Sequence, residues 1–228
     1  KVRGVLWYQG ESDAGPELAK TYARRFVSAV RAWRRALGCP DLAVLTVQIN
    51  RVLGQRDPAA DRAWTALREA QRQVPSLLTG VTVTPTLDLA LTDGIHISPH
   101  GNLALAERVA AAALGAVYGR GDAHLAPEPT SARRRRGGRA IDVAFRNVRG
   151  RVDTIDLTAV PFRVEDAHGE VPVERVQYLC RSRVRLHLSR PLEGLAEVHG
   201  AYGTDPPAVP LDLPRLMPML GFYGLRVD

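Results

Sequence analysis

Two residues set three apart, Asp93 and His96 in the run Asp93-Gly94-Ile95-His96, have the chemistry to move a proton between them and a third group. An imidazole can take a proton from a hydroxyl and return it to a leaving alcohol. A carboxylate beside it fixes the tautomer and stabilises the imidazolium. One short loop can deliver both. Taken alone, the spacing fits an exposed turn whose aspartate caps the next helix more simply than a catalytic pair. Metal ligation by Asp93, His96 and His100 is a further alternative, but Ser98 and Pro99 intervene and no His or Cys cluster completes a ligand set.

A second polar segment follows an apolar run, in Leu6-Trp7-Tyr8-Gln9-Gly10-Glu11-Ser12-Asp13. In open parallel sheets, the loops at the carboxyl ends of strands are where ligands bind. Gln9 could donate its side-chain amide to a developing oxyanion, and Gly10 would let backbone approach a ligand closely. A polar connection with no ligand explains the same residues equally well. Ser12 sits in Gly10-Glu11-Ser12-Asp13-Ala14, a loose version of the Gly-x-Ser-x-Gly elbow. Ala14 replaces the last glycine and Gly15-Pro16 delays the helix, so a polar loop residue is the simpler reading of Ser12.

The elements that must carry these segments alternate between strand and helix. Val5 to Tyr8 reads as a strand. From Pro16, apolar Leu18, Tyr22, Phe26, Val30, Trp33 and Leu37 recur at steps of four and three, which predicts an amphipathic helix ending at Gly38. Leu42–Ile49 reads as a buried strand. Asp57-Pro58 opens a second helix through Trp64, Leu67, Gln71 and Val74, and residues 80–84 form a third strand. Ser98-Pro99 is an N-cap with proline in the first turn, opening a helix that carries Leu103, Ala106, Val109 and Leu114. Such alternation predicts a parallel sheet covered on both faces.

The pattern changes near Gly119. Residues 122–139, with Pro127, Pro129, Arg133 to Arg136, Gly137 and Gly138, have the composition of a linker. Beyond it, alternating runs at 141–145, 160–164, 184–188 and 222–227, with a turn at 167–170, predict an antiparallel β domain of sandwich type over 140–228.

Composition narrows the class of partner. The net charge is +7, but residues 122–139 alone hold five basic residues against two acidic, while 140–228 hold 11 against 12. Specific nucleic-acid readers interleave basic residues with aromatics on one surface, and that pattern is absent. No apolar run approaches the roughly 20 residues of a membrane span. Cys39 and Cys180 are far apart and read as two free thiols. The chain begins at Lys1, directly before a strand, and shows no leader pattern. It is expected to be a processed product or a piece of a longer protein, and a secreted or periplasmic setting stands as an expectation only.

Together the two polar segments resemble a known family. Trp-Tyr-Gln-Gly-Glu-Ser-Asp (7–13) after a strand, then Asp-Gly-Ile-His-Ile-Ser-Pro-His-Gly-Asn (93–102) before a helix, resemble the third and fifth blocks of SGNH (GDSL-like) hydrolases. The similarity is to the branch of sialate O-acetylesterases and acetylxylan esterases. Trp64 to Gln71 is similar to that branch's central helix, and the resemblance spans about residues 4–118. The tail segments 198–206 and 217–224 resemble the β domain of the same proteins. Their tyrosines and glycines could line a sugar-binding surface, although tight β turns explain them more simply.

The resemblance implies a three-layer α/β/α fold with a flavodoxin-like parallel sheet, incomplete here, over 1–121, followed by the β domain. It implies hydrolysis of acetyl esters on a carbohydrate, of the sialic acid or xylan type, through a serine acyl-enzyme and without metal or organic cofactor. His96 would be the general base, Asp93 or Glu11 its acid partner, and Gln9 an oxyanion donor. Trp7 and Gly10 would contact substrate. The family's Gly-Asp-Ser or Gly-Gln-Ser block does not occur in this sequence. The nucleophile is therefore expected upstream, with a catalytically incomplete carbohydrate-binding protein as the alternative.

Overall fold

The computed structural model describes residues 2–54, 57–156 and 158–228. The chain divides into two compact units, Lys1–Leu125 and Ala126–Asp228.

The first unit is built on three parallel strands in the order β1 (Gly4–Trp7), β2 (Ala43–Val47) and β3 (Val81–Thr84). Every residue of β2 is buried, as expected for the middle strand of a sheet covered on both faces. One face packs on α1 (Pro16–Ala36) and α2 (Pro58–Leu77). Tyr22, Phe26 and Val30 of α1 and Trp64, Leu67 and Val74 of α2 share a core with Val44 and Val81 of the sheet. The opposite face packs on α3 (Pro99–Tyr118), where Leu105 meets Val47 and Leu89. Side chains alternate along β2, so Val44 and Val47 serve different layers.

Helix ends follow local chemistry. The Asp57 carboxylate accepts from the N–H groups of Ala59 and Ala60 at 3.1 and 3.2 Å, and Ser98 Oγ accepts from Gly101 N–H at 3.1 Å. Pro16, Pro58 and Pro99 each occupy the first turn, where no backbone donor is lost. Gly119 closes α3 in a left-handed conformation.

The second unit is antiparallel. One sheet runs β4 (Glu128–Arg134), β5 (Ala140–Arg146), β10 (Arg183–Leu188), β9 (Val173–Cys180). Another runs β14 (Phe222–Arg226), β11 (Glu197–Gly200), β7 (Phe162–Asp166), β8 (Gly169–Val171). A small third sheet joins β13 (Met217–Pro218), β12 (Leu211–Leu213) and β6 (Arg151–Asp153). The core holds Ile141, Val143, Val164, Val184, Leu186, Val198 and Phe222. The stretch 122–139, expected as a linker, instead contains β4. Pro129 and Ala132 turn inward while Arg133 stays in solvent, so arginines that read as an extended segment lie on a paired strand.

Candidate functional site

His96 lies in a loop tied shut from three sides. Thr92 N–H donates to the His96 carbonyl at 2.8 Å, Ser98 N–H to the Ala90 carbonyl at 2.8 Å, and Leu53 N–H to the Gly94 carbonyl at 2.7 Å. A bridge between Leu91 and Ile97 closes the loop just before α3. Gly101, in the first turn of α3, makes the approach possible. A Cβ there would fall 2.7 Å from Ile97 Cγ2 and 2.9 Å from the Ala90 carbonyl oxygen.

Within this loop Asp93 holds His96 through both oxygens. Its Oδ1 accepts from the N–H groups of Ile95 and His96, each at 2.8 Å, and its Oδ2 lies 2.8 Å from His96 Nδ1. The two backbone N–H groups, and after them the imidazole, hold the Asp93 carboxyl far below the usual carboxylate range. An ionised carboxylate only accepts, so the Nδ1 proton is fixed toward Asp93 and Nε2 is left as the basic nitrogen. The hydrogen bond that His96 donates to Asp93, and then the Asp93 charge, raise the His96 pKa, with a smaller through-space contribution from Glu11. Both side chains are open to solvent, at 80% for His96 and 54% for Asp93.

The imidazole faces a pocket of about 460 Å3 lined by Tyr8, Glu11, Ile95, His96, Ile97 and Asn102. Glu11 is thus beside His96, while the direct hydrogen bond belongs to Asp93. Tyr8 and Asn102 were not singled out by the sequence reading. Burial first, and Glu11 second, push the Tyr8 phenol up to about 12, so it remains a hydrogen-bond donor. Asn102 follows His96 by six residues, within the quoted motif, and its Nδ2 donates to the Ile97 carbonyl at 3.3 Å.

Three of the expected site residues point elsewhere. Trp7 turns toward α1, its ring 5.1 Å from Trp33. Gln9 lines the same small cleft as Trp7, and its Nε2 donates to Asp13 Oδ2 at 2.9 Å. Asp13 is further held by Arg25 at 3.0 Å, so the Gln9 amide is committed to this cluster rather than to the His96 pocket. The space at Gly10 is taken by packing, since a Cβ there would meet Ile49 Cγ2 at 2.6 Å and Gln71 Nε2 at 2.7 Å. Ser12 is exposed on a 3-10 turn, Glu11–Asp13, and neither Ser12 nor His100 lines the His96 pocket. Among the described residues, no three His, Cys, Asp or Glu side chains gather as a metal set.

The polar residues of α2 explain why that helix carries Trp, Arg-Glu and Gln. Arg68 is fully buried, donating to the carbonyls of Ile49 at 3.3 Å and Asn50 at 2.9 Å, beside the Trp64 ring. Gln71 accepts from Ile49 N–H at 2.9 Å and donates to the Gln9 carbonyl at 3.1 Å. Gln48 donates to the Arg68 carbonyl at 2.8 Å, and Thr86 to the Gln48 carbonyl at 2.6 Å. Irregular backbone after β1 and β2 could not be buried without such partners. The network therefore fixes the ends of two adjacent strands, one of which leads into Tyr8 and Glu11.

Comparison with known proteins gives the family. A family model described as carbohydrate esterase, sialic acid-specific acetylesterase, matches residues 1–115. The solved structure of a carbohydrate acetylesterase from Xanthomonas citri matches at a TM-score of 0.82 and 25% identity, covering 100% of this chain and 51% of that one. A protein of known structure from Arabidopsis thaliana matches at 27% identity and a TM-score of 0.45, covering 51% of this chain and 46% of that one. No curated protein matches. The chain spans about half the length of these solved structures. With the Trp-Tyr-Gln-Gly-Glu-Ser and Asp-Gly-Ile-His segments inside the matched region, the chain belongs to the carbohydrate esterase family of sialic acid-specific acetylesterases.

Proposed function

We propose that this chain supplies the acid–base half of a carbohydrate O-acetylesterase. The carrying observation is the Asp93–His96 hydrogen bond of 2.8 Å beside the 460 Å3 pocket. In this reading His96 Nε2 takes the proton of a serine hydroxyl as the serine attacks the acetyl carbonyl. The imidazolium, stabilised by Asp93, then protonates the departing sugar oxygen, which leaves as a hydroxyl. Water enters, gives its proton to His96, and releases acetate while the serine regains its hydrogen. The serine is contributed by a part of the protein outside residues 1–228. The reading is supported by the absence of Ser12 from the lining of the His96 pocket and by the match to half of the Xanthomonas citri enzyme.

Asp93 takes the orienting role and Glu11 a neighbouring one, because among the described residues only Asp93 shares a hydrogen bond with the imidazole. The substrate is an acetylated sugar of the sialic acid or xylan type, with Tyr8 and Asn102 as polar contacts in the pocket. The test is acetate release by the intact gene product from acetylated xylo-oligosaccharides and from O-acetylated sialic acid, with and without phosphonofluoridate. Release that the reagent abolishes supports the proposal, and the labelled peptide identifies the serine. Failure to release acetate from either substrate favours the non-hydrolytic carbohydrate-binding reading, and a label on Ser12 replaces the external serine.

A further inference from the structure

The second unit contains a groove that the esterase reading does not use. It has a volume of about 320 Å3, within the range of small-ligand sites, and its walls include Pro161, Pro172 and Pro207. Three polar side chains reach it: Arg163, Glu170 and Tyr202. Glu165 of β7 and Glu170 of β8 stand directly opposite each other in the ladder, a pairing that like charges oppose. Arg163 resolves the conflict by binding both. Its Nε donates to Glu165 at 2.8 Å and its Nη1 to Glu170 at 2.9 Å. The guanidinium is also laid on the Tyr202 ring, 4.7 Å from its centroid.

Tyr202 is braced from behind. It packs against His199, which is fully buried, stacks on Tyr223 at 4.4 Å, and accepts from Gly224 N–H through Nδ1 at 3.0 Å. His199 Nε2 in turn lies 3.8 Å from Glu165. Arg163 and Tyr202 are therefore held by partners outside the groove, and Glu170 by Arg163, an arrangement that lowers the cost of ordering on binding.

We propose that this groove is a binding site for a neutral sugar unit. The proline walls offer flat apolar surfaces to the C–H faces of a pyranose. Arg163 and Glu170 provide a fixed donor and acceptor for ring hydroxyls. Two carboxylates against one guanidinium leave the cluster with a net negative charge, which disfavours carboxylated sugars and selects uncharged ones. The lining belongs wholly to the second unit, and the proposal does not depend on hydrolysis.

The experiment is titration of the full chain with xylotetraose, followed by calorimetry and by the backbone amide shifts of residues 160–173 and 202–207. Binding with a Kd on the order of 1 mM is expected, the range of single-sugar sites with few contacts. Glu170 is half exposed, so Glu170→Ala leaves folding intact, and it should weaken binding about tenfold through loss of a charge-assisted hydrogen bond. Absence of binding overturns the proposal. So does binding that Glu170→Ala does not alter, or a preference for N-acetylneuraminic acid over xylotetraose.

Discussion

At the scale of single residues, the Asp93–His96 pair combines exposure with strong local order. Neither side chain is buried, so its geometry owes little to packing and much to the three hydrogen bonds that converge on one carboxylate. This has a consequence for pH. His96 acts as a base only when neutral, and Asp93 raises its pKa above the ordinary value of 6.5. The acid limb of kcat/KM should therefore fall above 6.5, with activity rising as pH rises through it. Asp93→Asn should shift that limb downward and lower kcat by about a hundred- to ten-thousandfold, because the amide neither stabilises the imidazolium nor fixes the tautomer. Glu11→Gln should shift it much less. A pH–rate profile of the three proteins measures both effects, and an unmoved limb in Asp93→Asn would assign the orienting role elsewhere.

At the scale of elements, the sequence was most readable where one signal dominates. Asp57-Pro58 and Ser98-Pro99 announced helix starts that the structure reproduces at Pro58 and Pro99. The Val- and Leu-rich middle strand was equally plain, expected over Leu42–Ile49 and found at Ala43–Val47. The pair at 93 and 96 was visible as a motif, but its hydrogen-bond geometry depends on loop closure, which spacing does not reveal. Gln9 and Trp7 were legible as part of a motif and not as to direction. Their side chains are set by Asp13, on the 3-10 turn just after them, and by Trp33, brought in by α1. β4 was obscured because its arginines and prolines imitate linker composition, and only pairing with β5 makes it a strand. The tight start of α3 offers a test. Gly101→Ala must push on the Ala90 carbonyl, which is backbone and cannot swing aside. It should cost about 1–3 kcal/mol, the range for an overpacked site, and reduce activity more than stability explains. Chemical denaturation beside turnover measurements separates the two, and a fully active, fully stable variant would show that the loop tolerates the shift.

At the scale of the whole molecule, the family match covers the first unit, while the Xanthomonas citri structure matches both. No helix among the described residues is long and apolar enough to cross a membrane. The net charge of +7, nearly half of it in residues 122–139, leads us to expect only general attraction to polyanions. In the second unit, arginines are repeatedly engaged by acids, as Arg185 is by Asp142 and Arg190 by Asp166. Duplex DNA should accordingly bind no tighter than about 1 μM at 0.15 M salt, without sequence preference, and weaken steeply as salt rises. Fluorescence anisotropy across a salt series checks this. A salt-resistant, sequence-dependent complex would require a recognition surface that the charge distribution does not suggest.

Whether His96 is the base of an acetylesterase is read from kcat/KM for acetate release by the intact gene product, compared with His96→Ala. Because His96 is exposed and contributes little packing, the variant should melt within about 1 °C of the parent, as surface changes do. Its kcat/KM should fall by about a hundred- to ten-thousandfold. A His96→Ala protein that keeps its fold and hydrolyses acetyl esters at the parental rate would contradict the account.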